Sequence, residues 1–218
     1  MTTTFALIAK EPASGRAKTR LARVLGPHGA AELAEAMLLD AADALLAAAP
    51  VAARLVLYHD PPDAGGRLRA LGLPDRFCLV PQPGGSLGER LAALVRDELV
   101  AGAAACVIAA TDSPFALAGV EDCVPVDRDE VVLAPCADGG YWAVGLARPS
   151  RLTDVPMPSP DVLGATVAMA RRDGFRVRLL AATLDLDEVA DLERADDSGL
   201  LARAPRTAAA WAGVAVGR

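Results

Sequence analysis

The sequence predicts one three-layer α/β domain, in which a central sheet is covered by helices on both faces. Short apolar runs typical of strands alternate with longer segments that have helical periodicity. The composition is 53% hydrophobic but only 4% aromatic, which favours small-residue helices packed closely on a sheet. At 218 residues the chain is long enough for a large core, and it contains no repeat, linker or low-complexity segment. We therefore predict a single domain over residues 1–218.

Charge and cysteine content narrow the function class. The formal net charge is −6 and the sequence pI is near 5.0, which argues against a general nucleic-acid binder. The four cysteines form no C-x-x-C pair and have no nearby histidine, which is typical of reduced thiols in a cytosolic core. A signal peptide and an apolar run of 18 residues are both missing, so we expect a cytoplasmic protein without a membrane partner.

The N-terminal stretch predicts a strand that runs into a cationic loop. Residues 4–9 are apolar and β-leaning, and Pro12 and Gly15 mark the loop. The loop and the residues just after it carry four positive charges: Lys10, Arg16, Lys18 and Arg20. Glycine lets backbone N–H groups approach phosphate oxygens, and Lys and Arg neutralise their charge. The stretch predicts a polyphosphate site or, equally, an ordinary solvated loop, and it lacks the P-loop pattern.

In the first half of the chain, segments with helical periodicity alternate with strand-like apolar segments. Residues 26–29 (Gly-Pro-His-Gly) break the pattern, and Pro50 ends the helix that follows. Periodicity predicts helices over 30–48, 65–71 and 87–100 and strands over 53–58, 77–80 and 103–110. The last of these strands is apolar throughout, as expected of a strand buried on both faces.

The second half repeats the alternation. A short helix is predicted from Ser113-Pro114, with Ser113 as its N-cap, to about Cys123. Periodicity further predicts strands over 130–134, 141–146 and 175–180 and helices over 161–173, 188–194 and 207–214. Asp138-Gly139-Gly140 is a hairpin signal between two of these strands.

Asp112 follows the strand that is predicted to be most buried. In open α/β sheets, ligands bind outside the carboxyl ends of such strands. A helix cap is the ordinary alternative, but Ser113-Pro114 already supplies that signal. A single carboxylate at this position suits one ligand of a Mg²⁺ that bridges phosphate oxygens.

Asp185 and Asp187 form a second acidic site. In an extended segment, residues two apart point to the same side, so both carboxylates are expected to face one metal. The alternative, which the residues leave equally open, is that Asp187 caps the following helix.

Two further segments are candidates for substrate walls. Residues 138–142 end in Tyr141-Trp142, and glycines beside an aromatic pair suit a ring-bearing substrate, although a plain hairpin explains the same residues. Residues 82–90 offer the Gln82 amide and glycine backbone to a nucleobase edge. Their alternative is a loop and helix start, with Ser86 as cap and Glu89 completing a capping box.

Taken together, these motifs resemble the bacterial glycosyltransferase-A-like family of small nucleotide-dependent transferases. That family is similar to the phospholactate guanylyltransferases and, more remotely, to the sugar-phosphate and molybdopterin nucleotidyltransferases. The resemblance covers roughly residues 4–195 and is carried by Ala9-Lys-Glu-Pro-x-x-Gly15-x-x-Lys18-Thr-Arg-Leu21, residues 82–90, Thr111-Asp112-Ser113-Pro114, residues 135–146 and Asp185-x-Asp187.

The resemblance implies a Rossmann-like nucleotide-diphospho-sugar transferase (glycosyltransferase-A) fold and a set of roles. Catalytic roles fall to Lys18, Asp112 and Arg16. Nucleotide contacts are implied for Ala9, Lys10, Gly15, Arg20, Gln82, Gly88 and Arg90. Acceptor contacts are implied for Asp138, Gly139, Gly140 and Tyr141. The metal, Mg²⁺ with Mn²⁺ as second candidate, is assigned to Asp112 and to Asp187 or Asp185.

This sequence departs from the family pattern at three places. Ala110 replaces a usual glycine, Ser86 replaces a usual Asp, and Pro158-Ser159-Pro160 replaces a usual Trp-Ser-Thr. The last two bear on the choice of base or acceptor, so no substrate is carried over.

The leading hypothesis is a Mg²⁺-dependent nucleotidyltransferase that moves a nucleoside monophosphate from an NTP to a small phosphorylated or phosphonate acceptor and releases pyrophosphate. The alternatives are a glycosyltransferase with a nucleotide-sugar donor, and a nucleotide-binding protein without catalysis. Expected partners are a nucleotide and a small acceptor, and the oligomeric state is left open, a homodimer included.

Overall fold

The computed structural model describes residues 2–151, 155, 157, 159 and 161–215. Pro158 and Pro160 of the variant Pro-Ser-Pro segment lie outside the described residues. Within the described part the strands are β1 Thr2–Lys10, β2 Arg54–Asp60, β3 Phe77–Pro81, β4 Ala103–Ala110, β5 Glu130–Pro135, β6 Tyr141–Leu146 and β7 Arg176–Leu179. The α-helices are α1 Thr19–Ala48, α2 Gly65–Ala70, α3 Leu87–Val100, α4 Val162–Arg172, α5 Val189–Asp197 and α6 Pro205–Ala215, with 3-10 helices at Pro114–Cys123 and Leu200–Arg203.

The strands form one mixed sheet in the order β3-β2-β1-β4-β6-β5-β7. β6 runs antiparallel to β4 and β5, and the other neighbouring pairs are parallel. From β1 the chain crosses to β2 on one side, whereas β4 leads to the strands on the other side. The loops after β1 and β4 therefore diverge and leave a crevice at the carboxyl ends of the two central strands.

Helices cover both faces of the sheet, as the sequence predicts. On one face Phe5 of β1 packs in a buried cluster with Leu38 of α1. On the other face Ala6 packs in a cluster with Leu94 of α3 and Met169 of α4. Phe5 and Ala6 point to opposite faces because side chains alternate along a strand. The three-layer α/β prediction is confirmed.

Helix α1 begins eleven residues earlier than the sequence predicts. Gly26 (φ 73°) interrupts the helical backbone and Pro27 follows it, but the helix resumes at once. Proline is tolerated in the first turn of a helical segment, where its missing N–H has no partner in any case. The prediction of a helix start at Ala30 is therefore wrong, and Lys18 becomes the residue directly before α1.

An outer layer covers α1. Leu33 of α1 shares a buried cluster with Leu192 of α5 and Trp211 of α6. The carboxylate of Asp40, which is 4% exposed, accepts hydrogen bonds from Thr207 N (2.7 Å) and Thr207 Oγ1 (2.8 Å). A side chain of α1 thus caps the first turn of α6.

The cysteines and the helices of the described residues bear on two expectations from the sequence. All four cysteines are free thiols, as predicted. None of the helices seen in this part of the chain combines the length and the apolar character that crossing a membrane requires.

Candidate functional site

A cavity of about 660 Å³ opens at the carboxyl ends of β1 and β4, in the crevice between the diverging loops. Four segments that are distant in sequence supply its polar wall: the loop after β1, the loop after β3, the turn after β4 and the segment before α5. Helix α1 adds an apolar wall. The lining includes Ala9, Lys10, Arg16, Lys18, Arg20, Met37, Leu38, Gln82, Leu87, Arg90, Thr111, Asp112 and Asp187.

The lining carries an excess of positive charge. Five of its side chains are cationic (Lys10, Arg16, Lys18, Arg20 and Arg90) and two are anionic (Asp112 and Asp187). The whole chain has a net charge of −6, so this excess is local. A concave site with such a charge attracts polyanions.

Lys18 lies at the centre of the charged wall. Its ammonium contacts Asp112 Oδ1 at 2.7 Å and Asp187 Oδ1 at 2.8 Å, and its side chain is only 10% exposed. Burial alone would lower the pKa of this lysine, but the two carboxylates outweigh it, so its pKa is raised. The ammonium stays charged at neutral pH, and it holds the pKa of Asp187 below its usual value although burial of that carboxyl acts in the opposite direction.

The backbone of Lys18 adopts the left-handed conformation (φ 42°, ψ 54°), which is rare for a residue with a side chain. Such a conformation costs on the order of 1–3 kcal/mol and persists where the surroundings impose it. Here it directs the side chain of the residue before α1 back toward the ends of β4 and of the segment before α5.

Backbone contacts bring Asp187 beside Asp112. Leu186 N donates to Asp112 O (2.9 Å), and Ser113 Oγ donates to Leu184 O (2.7 Å). The prediction that the Ser113 side chain caps the following helix is therefore wrong, because this hydroxyl joins the turn after β4 to the segment before α5.

The open alternative for Asp187, a helix cap, does not occur. The N-cap of α5 is Glu188, and Asp191 Oδ2 accepts from the N–H groups of Glu188 (2.7 Å) and Asp187 (3.1 Å). The Asp187 carboxylate is left to the cavity, where it binds Lys18 and lies 3.5 Å from Arg20 Nη1.

Asp185 faces a different group. Its carboxylate lies within 4.8 Å of ligand atoms of Asp138 and Cys136, and in the described part of the chain this is the one group of three such side chains close enough to share a cation. Asp185 thus belongs to this group and Asp187 to the cavity lining, and a metal shared by the two carboxylates stays a prediction. Burial, with the charges of Asp138 and Asp187, raises the pKa of Asp185 to about 6.

The loop after β3 is held by Gln82. Its amide nitrogen donates to Ala9 O (2.9 Å) and Tyr58 O (3.1 Å), and its Oε1 accepts from Arg90 Nη1 (3.0 Å). Both amide hydrogens are thus used by backbone carbonyls, in contrast to the sequence expectation of an amide that reads a base edge. Arg90, also bound to Gly85 O (3.0 Å), keeps further guanidinium hydrogens for a ligand.

Two of the residues predicted to contact the nucleotide lie outside the cavity lining. Gly15 (φ 78°) is exposed in the turn of the first loop, and Gly88 is buried in the first turn of α3; neither lines the cavity. The Ser86–Glu89 capping box is confirmed. The loop after β1 is also anchored outside the cavity, because the carboxylate of Glu11 pairs with Arg67 of α2. Sequence reasoning missed this pair, since nothing in the local pattern links the two residues.

The predicted acceptor segment is a hairpin beside Asp185. Gly139 (φ 91°) makes the turn between β5 and β6, and Asp138 Oδ1 accepts from Gly140 N (2.8 Å). Tyr141 packs against the cluster on the α3–α4 face, and burial raises its pKa to about 12. The segment does not line the 660 Å³ cavity and adjoins it through residues 185–187.

The chain is similar to known transferases over most of its length. It is 32% identical to a phosphoenolpyruvate guanylyltransferase of Roseiflexus sp. (strain RS-1), over 81% of this chain and 78% of that protein. A solved structure from Desulfovibrio desulfuricans G20, described as a nucleotide-diphospho-sugar transferase, matches with a TM-score of 0.82 and 26% identity over 95% and 94% of the two chains.

A more distant structure bears on the fold alone. The 4-diphosphocytidyl-2C-methyl-D-erythritol synthase of Anaerococcus prevotii DSM 20548 matches with a TM-score of 0.54 and 10% identity, over 90% of this chain and 98% of that chain. The fold is that of the nucleotide-diphospho-sugar transferases, and the chain is a nucleotide-dependent transferase. A family model described as "Uncharacterized protein conserved in bacteria" matches residues 41–159, and the chain belongs to this family, DUF2064.

Proposed function

We propose that this protein is a Mg²⁺-dependent nucleotidyltransferase that transfers a nucleoside monophosphate from an NTP to a small phosphorylated or phosphonate acceptor. The observation that carries the proposal is the charge of the cavity at the switch point, where five cationic side chains face two carboxylates. A triphosphate donor carries more negative charge than a nucleotide-sugar and makes fuller use of this excess.

The curated relative supports the same reaction class. A phosphoenolpyruvate guanylyltransferase joins a guanine nucleotide to a phosphorylated carboxylic acid, and 32% of aligned residues are shared with it. We therefore take GTP as the first donor to test and a phosphorylated carboxylate as the first acceptor.

The donor set in the cavity fits a hard divalent cation. Asp112 Oδ1 and Asp187 Oδ1 both lie within 2.8 Å of a single cationic atom, Lys18 Nζ, and Mg²⁺ or Mn²⁺ prefers carboxylate oxygens of this kind. The group at Asp185 includes the Cys136 thiol and suits these ions less. When bound, the ion supplies charge neutralisation at the phosphate oxygens.

The cationic side chains then have separate tasks. The phosphates of the donor are bound from the loop after β1 by Lys10, Arg16 and Arg20. Arg90 binds the donor at the other end of the cavity, which the loop after β3 forms. The hairpin at Asp138 to Tyr141 positions the acceptor. An acceptor phosphate oxygen forms a bond to the α-phosphorus, the bond to the oxygen that bridges the α- and β-phosphorus breaks, and pyrophosphate leaves with that electron pair.

This reaction depends on positioning and electrostatics. An acceptor phosphate is already ionised at neutral pH, so it needs no general base to make it nucleophilic. The cavity is consistent with such a reaction, because its charged lining consists of Lys, Arg and Asp and the lining residues include no Ser–His or Cys–His pair.

A glycosyltransferase remains the second candidate, because the Desulfovibrio structure is described as a nucleotide-diphospho-sugar transferase and matches over 95% of this chain. Its donor would occupy the same cavity, with the sugar toward the Asp138 hairpin. The two candidates differ in their leaving group, which is pyrophosphate in one and a nucleoside diphosphate in the other.

The deciding experiment measures pyrophosphate release with GTP, ATP, CTP and UTP, each with phosphoenolpyruvate and with Mg²⁺ or EDTA. We expect Mg²⁺-dependent release, greatest with GTP, and a nucleotidyl product visible by mass spectrometry. Arg16→Ala should raise the KM for the triphosphate about tenfold or more, as the loss of one charge-assisted contact does. The exposed Arg171→Ala on α4 is the matched control. Turnover of a nucleotide-sugar with no pyrophosphate from any NTP would replace the proposal by the glycosyltransferase.

A further inference from the structure

Lys18 occupies the position that the two cavity carboxylates offer to a cation. Its Nζ lies 2.7 Å from Asp112 Oδ1 and 2.8 Å from Asp187 Oδ1. A divalent ion held by the same two carboxylates would compete with the ammonium for these oxygens. Ammonium and metal cannot both bind these oxygens at full strength.

The two sides of this ion cluster differ in their access to solvent. The Lys18 side chain is 10% exposed, whereas the side chains of Asp112 and Asp187 are 42% and 38% exposed. The ammonium therefore lies on the buried side of the ion cluster, and the two carboxylates lie on its more open side, where they line the cavity. Arg20, 3.5 Å from Asp187 Oδ2, adds a second positive charge on that open side.

Electrostatics make the free protein a poor metal binder. Two carboxylates that already face the Lys18 ammonium and the Arg20 guanidinium present little net negative charge to a further cation, and that cation is also repelled by the lysine at short range. A triphosphate changes this balance, because it offers Lys18, which itself lines the cavity, a new set of anionic partners.

We propose that Lys18 is an internal counter-ion for the metal site: it pairs with Asp112 and Asp187 in the free protein and gives way to the divalent ion that arrives with the nucleotide. The inference rests on the proposed function for the identity of that ligand, but it makes a separate statement about the free protein. Metal and nucleotide bind together, and metal alone binds weakly. The left-handed backbone at Lys18, which aims the side chain at the two carboxylates, is part of this arrangement.

The test titrates Mn²⁺ alone into nucleotide-free protein and follows free Mn²⁺ by electron paramagnetic resonance. Lys18→Met removes the ammonium and should bind Mn²⁺ at least tenfold more tightly than the wild type. Lys18→Arg retains a positive charge and should bind as weakly as the wild type. Lys10→Met is the matched control, because Lys10 lines the same cavity and the described residues give it no ion pair. Its Mn²⁺ affinity should equal that of the wild type.

A double variant tests whether the gained Mn²⁺ affinity depends on the two carboxylates. Adding Asp112→Asn to Lys18→Met should abolish the gained affinity, because one of the two carboxylates is lost. Circular dichroism verifies the fold of each variant, and Lys18→Gln serves in place of Lys18→Met if that variant does not fold. Equal Mn²⁺ affinity in the wild type and the neutral variants, or no binding by either, would overturn the proposal. Neither result depends on turnover, so a failure here is distinct from a failure of the nucleotidyltransferase assay.

Discussion

At the scale of single residues, Gln82 joins three parts of the cavity wall. Its amide nitrogen binds the carbonyls of Ala9 in β1 and Tyr58 in β2, and its Oε1 binds Arg90 at the start of α3. A side chain that satisfies two carbonyl groups and fixes an arginine acts through its neighbours. Gln82 is therefore a positioning residue for Arg90 and for the end of β1.

Replacing Gln82 by Glu tests this role with a side chain of the same shape. A carboxylate cannot donate to Ala9 O and Tyr58 O, so it leaves two carbonyls without their partner and faces them with negative charge. We expect a loss of about 1–3 kcal/mol in the free energy of unfolding and weaker nucleotide binding. Urea unfolding and a nucleotide titration measure the two effects. Unchanged stability with lost nucleotide binding would instead mean that Gln82 reads the ligand directly.

The sequence predicted most cavity residues by type but not by partner. The charges of Lys18 and Asp112 pointed to a phosphate and metal site because such residues follow strands at a sheet edge. Their pairing, and the engagement of Gln82 by backbone carbonyls, depend on atoms that are far apart in the chain. Lys18 and Asp187 are separated by 169 positions, and local periodicity carries no information over that distance.

At the scale of elements, a partly buried ion pair ties the edge strand β7 to β5. Glu130 at the start of β5 binds Arg178 of β7 and accepts from Val126 N (2.9 Å). Arg178 also donates to the carbonyls of Asp122 and Val124 (both 2.9 Å). Burial raises the pKa of Glu130, but Arg178 and the Val126 amide outweigh it, so its pKa lies below its ordinary value.

This pair predicts a loss of stability in acid. A carboxyl whose pKa is depressed in the folded state stabilises the protein above its unfolded pKa, and this contribution is lost as the pH falls through the folded value. Glu130→Gln should therefore lower the free energy of unfolding by about 1–3 kcal/mol at pH 7, and the difference should shrink below pH 4.5. Urea unfolding from pH 7 to pH 3 measures it.

Asp127→Asn is the control for that series. Asp127 pairs with Arg176, which lies on β7 like Arg178. This pair is exposed, so its loss should change the free energy of unfolding much less. A difference between the Glu130 variant and the wild type that stays constant down to pH 3 would contradict the assignment.

Elements were predictable where their ends carry a local signal. Helix α3 and strands β4 and β6 match their predicted bounds, because Ser86 and Glu89 form a capping box and Gly102 ends the turn before β4. The start of α1 was not predictable, since Gly26-Pro27 is an ordinary stop signal. Packing of residues on both sides of the kink, such as Leu21 and Leu33, in one cluster holds the helix together there.

At the scale of the whole molecule, the outer layer is attached to the sheet layers through α1. The buried Asp40 carboxylate caps α6 by accepting from Arg206 N (3.2 Å), Thr207 N and Thr207 Oγ1. The α6 helix covers the same segment of α1 whose Met37 and Leu38 line the cavity. Stability of the outer layer and the shape of the apolar cavity wall are therefore linked.

Asp40→Ala leaves two buried donors of Thr207 and the partly buried Arg206 N without an acceptor. We expect a cost on the order of 3–5 kcal/mol, with the largest rise in hydrogen exchange in α6. Asp43→Ala is the matched variant, because Asp43 lies one turn away and pairs with Arg206 in an exposed position. Similar unfolding free energies for the two variants would show that the cap does not anchor α6.

The order of the strands was outside the reach of a single sequence. Alternation of helices and strands indicates layers and a mostly parallel sheet, but it does not indicate that β6 enters between β4 and β5 in the opposite direction. Gly145 of β6 lets the end of the 3-10 helix Pro114–Cys123 lie directly against this strand, since a Cβ there would lie 1.8 Å from the carbonyl oxygen of Cys123. Only glycine permits so close an approach of the two backbones.

The long separation between Lys18 and Asp187 has a consequence for synthesis on the ribosome. A nascent chain that has emerged as far as β6 already contains the cationic loop and Asp112, but its second carboxylate is still in the exit tunnel. In the folded protein the segment that carries Asp187 follows β7, which pairs with β5, and it is attached to the turn after β4. An unfinished chain therefore carries the cationic loop and Asp112 without the assembled ion cluster, and the candidate site is completed late in translation.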